Sequence, residues 1–382
     1  MNILFLNDTY SKEGGTERYI DVVTTALREK GHQVVTVVGN SKEKPPAGVT
    51  VIPELKTNEV RTFIQDKQIQ LVTFQTVENI SLYKSLPKLV PVVRMLHDTA
   101  SICKYHFRRE EICTQKLTLG HCLNSSVTEG SMTKNSLKVA ELVVTRQAIL
   151  KELAKWPVLL ANSEYTKRSY EFEGIGAGRI TVIPMFPTVS PKSVTAKKED
   201  NVVLFSGRIY REKGLEYLIR AFSRVRSQVE LWVVGEGWDT DRNKRIAEEL
   251  SLGEWVRFWG FLDSDKLRSV YEKATIGVVP SMWGEPFGLT GIEMMGFGMP
   301  VVGFDSGGIQ EWLHSNETGF LVGRGDTDGL AEKINILLLD KEKRGELGEH
   351  AQQFVAKNYN KETHLSLLEE AYTRALSAFK KV

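Results

Sequence analysis

Cysteine is scarce. The chain holds three, an odd number among 382 residues, which fits a reducing compartment better than a disulfide framework. Long apolar runs are missing as well: no window approaches the ~20 consecutive apolar residues that cross a bilayer, so membrane contact, if made, is expected to be peripheral. The opening residues MNILFLNDTY lack the ordered basic region, apolar stretch and small-residue cleavage site of a secretory signal, and a cytoplasmic location is the expectation. A strong charge of either sign is absent too. The formal net charge is +2, with 24 Lys/Arg against 19 Asp/Glu in residues 1–190 and 23 against 27 in residues 201–382. That asymmetry falls far short of a nucleic-acid footprint, so no nucleic-acid partner is expected. A mildly cationic first half suits an anionic membrane surface or a phosphorylated acceptor as well as it suits ordinary surface scatter. Fixed-period repeats and low-complexity tracts do not occur.

What is present is a globular composition, 41% hydrophobic and 26% charged, in a length about twice that of a usual single domain, so two cores are expected. Short apolar runs alternate with amphipathic segments: ILFLN (3–7), VVTVV (34–38), VTVIP (49–53), LVTF (71–74), VPVVRML (90–96), VLLANS (158–163) and ITVIP (180–184). Continuous β-branched runs of this kind read as strands covered on both faces, with helices crossing between them in a parallel α/β sheet. The alternation breaks in FPTVSPKSVTAKKEDN (186–201), as an interdomain linker would. It restarts with VVLFSGR (202–208), VELWVVGEG (229–237), VRFWGF (256–261), IGVVPS (276–281), MPVVGFD (299–305) and GFLVG (319–323). Beyond about Glu342 only helical periodicity remains. The expected division is a first domain over 1–188, a linker over 189–200 and a second domain over 201–361, with a helix of about 362–382 packing back on the first.

In such sheets ligands bind at the carboxyl ends of the strands. After the first strand, Gly14 and Gly15 precede a helix expected near Thr16. Their backbone N–H groups can approach an anion that a Cβ would exclude, though a structural turn explains a lone glycine pair equally well. They do not form GxGxxG, so a nicotinamide-type fold is not signalled. In SGRIYREKG (206–214), Arg208 and Lys213 lie in the loop before a helix and make either a phosphate clamp or a solvated basic loop. The stretch GEPFGLTGIEMMGFGMP (284–300) places Glu285 at the carboxyl end of a strand and Glu293 in the expected first turn of the next helix. A carboxylate accepts two hydrogen bonds from a vicinal diol, so both glutamates could face one sugar nucleotide. As structural residues, Glu293 would be favoured by the helix dipole and Glu285 would be a solvated loop charge. Glu293 is flanked by Gly291, Ile292, Met294, Met295 and Gly296, where an unpaired carboxylate is costly, and this favours a ligand.

At these residues the chain resembles a retaining glycosyltransferase of the GT-B fold, in glycosyltransferase family 4 (glycosyl transferases group 1). The resemblance is carried by GGTE (14–17), LHD (96–98), ANSEYTK (161–167), VIP (182–184), SGRIYREKG (206–214), VVGEG (233–237), WGF (259–261), PSMWGEPFGLTGIEMMGFGMPVV (280–302) and SGG (306–308). It implies two Rossmann-like parallel-sheet domains facing each other across a cleft. It implies a metal-independent hexosyltransferase without a required cofactor, using a nucleotide-diphosphate sugar as donor, with a UDP-sugar favoured and a GDP-sugar as the alternative. The acceptor would be a glycan, a lipid-linked or a small molecule, in cell-surface polysaccharide or glycoconjugate assembly at or near the inner face of the membrane. By the resemblance, Glu293 would bind the ribose hydroxyls and Glu285 the hydroxyls of the transferred hexose. Arg208, Lys213, Gly14, Gly15 and the amides of Leu289 and Thr290 would bind the diphosphate, with Phe287 and Gly288 completing the donor site. His97 would lie near the anomeric carbon; otherwise it is a core histidine at a strand end. Arg208 and Lys213 would stabilise the departing diphosphate, and that phosphate itself would take the acceptor's proton. One departure stands out: members commonly have Asn-Gly or a similar turn after VIP, whereas this chain reads VIPMFPT.

All three cysteines fall in CKYHFRREEICTQKLTLGHC (103–122). Cys103, His106, Cys113 and Cys122 form an irregularly spaced zinc candidate, with ordinary thiols in an acceptor-side loop as the favoured reading. Lys104, Arg108 and Arg109 in the same segment suit a lipid headgroup or an ordinary amphipathic surface. Two other readings compete with glycosyl transfer: a nucleotide-sugar epimerase on the same fold, which needs acid-base residues not identified here, and a nucleotide-sugar-binding partner subunit without transfer activity.

Overall fold

The computed structural model describes residues 1–11, 14–41, 43–99, 102, 115–128, 135–191, 201–225 and 228–380. They divide into two units. One gathers the described residues of 1–184 with Glu362–Val382, the other the stretch Met185–Lys361.

The first unit is built on seven parallel strands: β1 (Asn2–Tyr10), β2 (Gln33–Ser41), β3 (Val49–Val51), β4 (Leu71–Phe74), β5 (Val92–Leu96), β6 (Leu159–Ala161) and β7 (Ile180–Val182), in the order β3-β2-β1-β4-β5-β6-β7. Each lies within one of the apolar runs or extends it. Leu4, Leu6, Val37, Val72, Phe74, Val92, Leu96 and Leu159 meet in one core, and the ring of Phe74 sits edge-on to Trp156 with centroids 5.0 Å apart. The helix Lys361–Phe379 completes this unit: Arg374 donates to Thr181 Oγ1 at 2.8 Å, and Glu369 meets Lys30 and, at 2.9 Å, His32.

The second unit carries six parallel strands: β8 (Val202–Ser206), β9 (Glu230–Val234), β10 (Val256–Gly260), β11 (Ile276–Val279), β12 (Val301–Phe304) and β13 (Gly319–Val322), ordered β10-β9-β8-β11-β12-β13. The helix Leu215–Phe222 shows how sequence periodicity becomes packing. Its residues Leu215, Leu218, Ile219 and Phe222 repeat at helical spacing and are all buried, against a core that includes Val203, Val233 and Val302.

Both sheets reverse strand order beside their first strand, between β1 and β4 in one and between β8 and β11 in the other. Such switch points open a crevice at the carboxyl ends, where doubly wound folds take their ligands. The two parallel α/β sheets, of seven and six strands, make a GT-B fold. Among the described residues no helix is long and apolar enough to cross a membrane.

Candidate active site

At the second unit's switch point two loops lie side by side. One leaves β8 through Gly207 and Arg208, makes a turn over Arg211–Lys213 and enters the helix Leu215–Phe222 at Gly214. The other leaves β11 and reaches the helix Leu289–Gly296 through Gly288. The loops are joined by Met282 N–H donating to Glu212 O at 2.8 Å. Gly214 has φ 71, and a Cβ there would fall 1.8 Å from the carbonyl oxygen of Pro280, so the approach of the two loops requires glycine.

This approach brings Lys213 to Glu285. Lys213 Nζ lies 2.7 Å from Glu285 Oε2, and the same oxygen accepts from Ser281 Oγ at 2.8 Å and Trp283 Nε1 at 2.9 Å. The ammonium also sits 5.0 Å from the centroid of the Trp283 ring. Burial alone would push the Glu285 carboxyl up, but the Lys213 charge and the hydrogen bonds from Lys213, Ser281 and Trp283 outweigh it and hold the group below the ordinary carboxylate range. Glu285 is therefore a buried, ionised carboxylate, not the solvated loop charge of the bland reading. Arg208 is exposed, its guanidinium 5.0 Å from the centre of the Tyr210 ring.

Glu293 corrects two expectations. The helix begins at Leu289, because Gly288 in the left-handed region (φ 86) forms its N-cap. Glu293 therefore stands fifth in the helix, beyond the first turn on which the dipole argument depends. Nor is the carboxylate unpaired: Oε1 accepts from Thr188 N at 3.1 Å and Thr188 Oγ1 at 2.6 Å, and Tyr271 OH lies 3.3 Å from Oε2. Its burial cost is met by the protein itself. Leu289 and Thr290 open this helix with no side-chain cap, and their N–H groups point out of its N-terminus, the polarity an anion needs. Phe287 has its ring in the core, edge-on to Tyr359 at 5.5 Å, and its carbonyl accepts from Trp312 Nε1, so only its backbone can serve a ligand.

His97, Gly14 and Gly15 belong to the first unit. His97 follows β5, with Nε2 2.6 Å from Gln75 Oε1 and its carbonyl accepting from Asn162 Nδ2 at 2.7 Å. Gln75 Nε2 donates onward to Thr73 Oγ1 at 3.0 Å, which leaves Oε1 as the acceptor and puts the imidazole proton on Nε2. Burial, with Arg94 and His364 nearby, pushes His97 down to about 3, so the ring is neutral. Gly14 is the N-cap of the helix Gly15–Glu29, and a Cβ on Gly15 would meet nothing within 4 Å.

Of the zinc candidates, Cys103, His106 and Cys113 lie outside the described residues, while Cys122 is buried in the first unit's core. No metal-binding group of three or more His, Cys, Asp or Glu occurs among the described residues. Sequence reasoning missed Ser281, Trp283, Thr188, Tyr271 and Gln75. Ser281 and Trp283 stood inside the motif that framed Glu285; nothing local announced Thr188, 105 residues from its partner.

Residues 188–354 match the model of the family glycosyl transferases group 1. The chain is 28% identical to the lipopolysaccharide core biosynthesis glycosyltransferase LpsE of Rhizobium meliloti over 53% of its own length and 56% of that protein's. It is 34% identical to the D-inositol 3-phosphate glycosyltransferase of Corynebacterium jeikeium over 41% of its length and 39% of that protein's. The chain thus spans about half the length of the curated relatives it matches. In fold it resembles a sucrose-phosphate synthase from Thermosynechococcus elongatus, with TM-score 0.75, 22% identity and 99% of each chain covered.

Proposed function

We propose, from the premise that the chain belongs to the glycosyl transferases group 1 family, that it is a retaining glycosyltransferase moving a hexosyl unit from a nucleotide-diphosphate sugar to a glycan, lipid-linked or small-molecule acceptor. A UDP-sugar is the favoured donor and a GDP-sugar the alternative. The observation that carries the reading is the ion pair Lys213–Glu285 at the switch point of the family-matched unit. It sets a phosphate-binding cation against a carboxylate whose three hydrogen bonds fall on Oε2, leaving Oε1 without a partner among the described residues.

In this reading Oε1 of Glu285 accepts a hydroxyl of the transferred sugar, while Lys213, exposed Arg208 and the N–H groups of Leu289 and Thr290 hold the diphosphate. As the glycosidic C–O bond lengthens, negative charge grows on the leaving phosphate, and cations already in place stabilise it without reorganising. The departing phosphate oxygen accepts the proton of the attacking hydroxyl. The curated relatives are named for lipopolysaccharide core and inositol phosphate glycosylation, the first name supporting a glycan or lipid-linked acceptor and the second a small-molecule one.

Thermal-shift screening against UDP, GDP, ADP and their sugars tests the reading, because a ligand at ~100 times its Kd adds about 2.7 kcal/mol. One nucleotide series is expected to raise the melting temperature, and Lys213→Ala to lose that response. No shift by any nucleotide overturns the donor assignment.

A further inference from the structure

Thr188 stands in VIPMFPT, where the chain departs from the Asn-Gly or similar turn of the resembled family. Its segment is tied to the second unit on both sides. Ser190 O accepts from Arg268 Nε at 2.9 Å, and Pro187 lies against Gly296, one helical turn beyond Glu293. Held there, Thr188 presents two donors on neighbouring atoms, the backbone N–H at 3.1 Å and the hydroxyl at 2.6 Å, to Glu293 Oε1. Two donors on adjacent carbons are also what a ribose diol offers a carboxylate. Thr188 directs both of these donors at Oε1.

We infer that Thr188 is an internal competitor for the donor's ribose, a residue that sets how tightly the site takes a ribonucleotide and how strictly it demands both ribose hydroxyls. The inference rests on the reading of Glu293 as the ribose-binding carboxylate. The 2.6 Å hydroxyl contact is charge-assisted and short, so a diol hydroxyl that reaches Oε1 competes with it. Thr188 is half-buried, which lets a displaced hydroxyl rotate toward water. A nucleotide with both hydroxyls offers the carboxylate an equal return, and one lacking them leaves the Thr188 contact undisturbed.

Calorimetric binding of UDP and GDP, and of their 2′,3′-dideoxy counterparts, to wild type, Thr188→Val and Thr188→Ser tests this. Valine keeps the shape and the backbone N–H but removes the hydroxyl; serine restores it. For whichever ribonucleotide binds, Thr188→Val is expected to lower Kd about tenfold, the ratio one modest charge-assisted hydrogen bond supplies. The dideoxy form should change less than about twofold, and Thr188→Ser should match wild type. An unchanged or weakened ribonucleotide Kd in Thr188→Val overturns the inference and leaves the donor reading standing. An equal gain for ribo and dideoxy forms also overturns it, since the hydroxyl would then be obstructing something other than the diol. Wild type and both variants binding no nucleotide at all would overturn the donor reading, and the inference with it.

Discussion

Replacing Lys213 by Met should damage the second unit more than replacing Glu285 by Gln, although both changes remove the same ion pair. The asymmetry comes from exposure: the Lys213 side chain is 19% accessible and that of Glu285 is 7%. Without its partner, Lys213 can swing its long stem to water. Glu285 cannot, and keeps only Ser281 and Trp283 as donors. Leaving one charge of a buried pair uncompensated costs roughly 3–5 kcal/mol; the two remaining hydrogen bonds place Lys213→Met near the lower end, about 3 kcal/mol. Glu285→Gln should cost about 1 kcal/mol. For a unit of this size each kcal/mol shifts the melting temperature by about 2–4 °C, so Lys213→Met should melt roughly 6–12 °C early. The double variant should regain most of that loss, because no buried charge remains. Acid should separate the cases further. In wild type the Glu285 carboxyl is depressed, so its contribution is present above the unfolded pKa and lost as pH falls through the folded one. In Lys213→Met burial acts with no opposing cation and raises the folded pKa, so stability should rise as pH is lowered from 7 to 5. Differential scanning calorimetry of the full chain across that range reads all of these. A Lys213→Met transition within about 2 °C of wild type, or a double variant no more stable than Lys213→Met, would refute the account of Glu285 as a buried charge held by Lys213.

Glu293→Ala should abolish the nucleotide-dependent thermal shift and also lower the ligand-free melting temperature, because Thr188 loses its acceptor; the loss should be about 1–3 kcal/mol, read in the same scans. Gly214→Ala should cost more than about 2 kcal/mol, since alanine would have to adopt φ 71 with its Cβ 1.8 Å from Pro280 O; urea unfolding followed by tryptophan fluorescence measures it. In the first unit, His97 and His364 are pushed down to about 3 and about 4, while burial, with Glu78 nearby, raises Asp8 to about 6. The depressed histidines contribute stability that is full above about pH 6.5 and lost as pH falls toward their folded values. Asp8 works the other way, its contribution full below about 3.8 and lost as pH rises through about 6. Between about pH 4 and 6 two protons gained by the histidines on unfolding are partly offset by one lost from Asp8. The first unit should therefore become less stable as pH falls through that window, with a slope near one proton, and His364→Phe should flatten it; melting temperatures at half-unit pH steps decide this.

Much of the fold was legible because strands covered on both faces need continuous apolar, β-branched runs, and each of the thirteen strands among the described residues lies in or over such a run. Helix starts were less so. Glu293 stands past the first turn expected for it because Gly288 enters the left-handed region and caps the helix at Leu289, a choice that backbone packing makes and periodicity does not record. The chemistry-bearing types were visible in Lys213, Glu285 and Glu293, but their partners were not. Lys213 and Glu285 meet across 72 residues and Thr188 and Glu293 across 105, distances over which one sequence holds no pairing signal. Hence Glu293 looked costly and unpaired when it is neither. The segment 103–114, which holds two of the three cysteines, lies outside the described residues.

The crowding of three donors on Oε2 of Glu285 has a geometric consequence. A carboxylate tethered by one donor can swivel to follow a hydroxyl that arrives off line. Fixed from three directions at one oxygen, this one cannot, so the line along which its other oxygen accepts is set before anything arrives. On the reading of Glu285 proposed above, turning an equatorial hydroxyl of the sugar axial would move its proton off that line without changing the charge, size or composition of the molecule that carries it. Rigidity of this kind sorts molecules by handedness at a single carbon, a distinction that attraction between opposite charges, being nearly indifferent to angle, does not make.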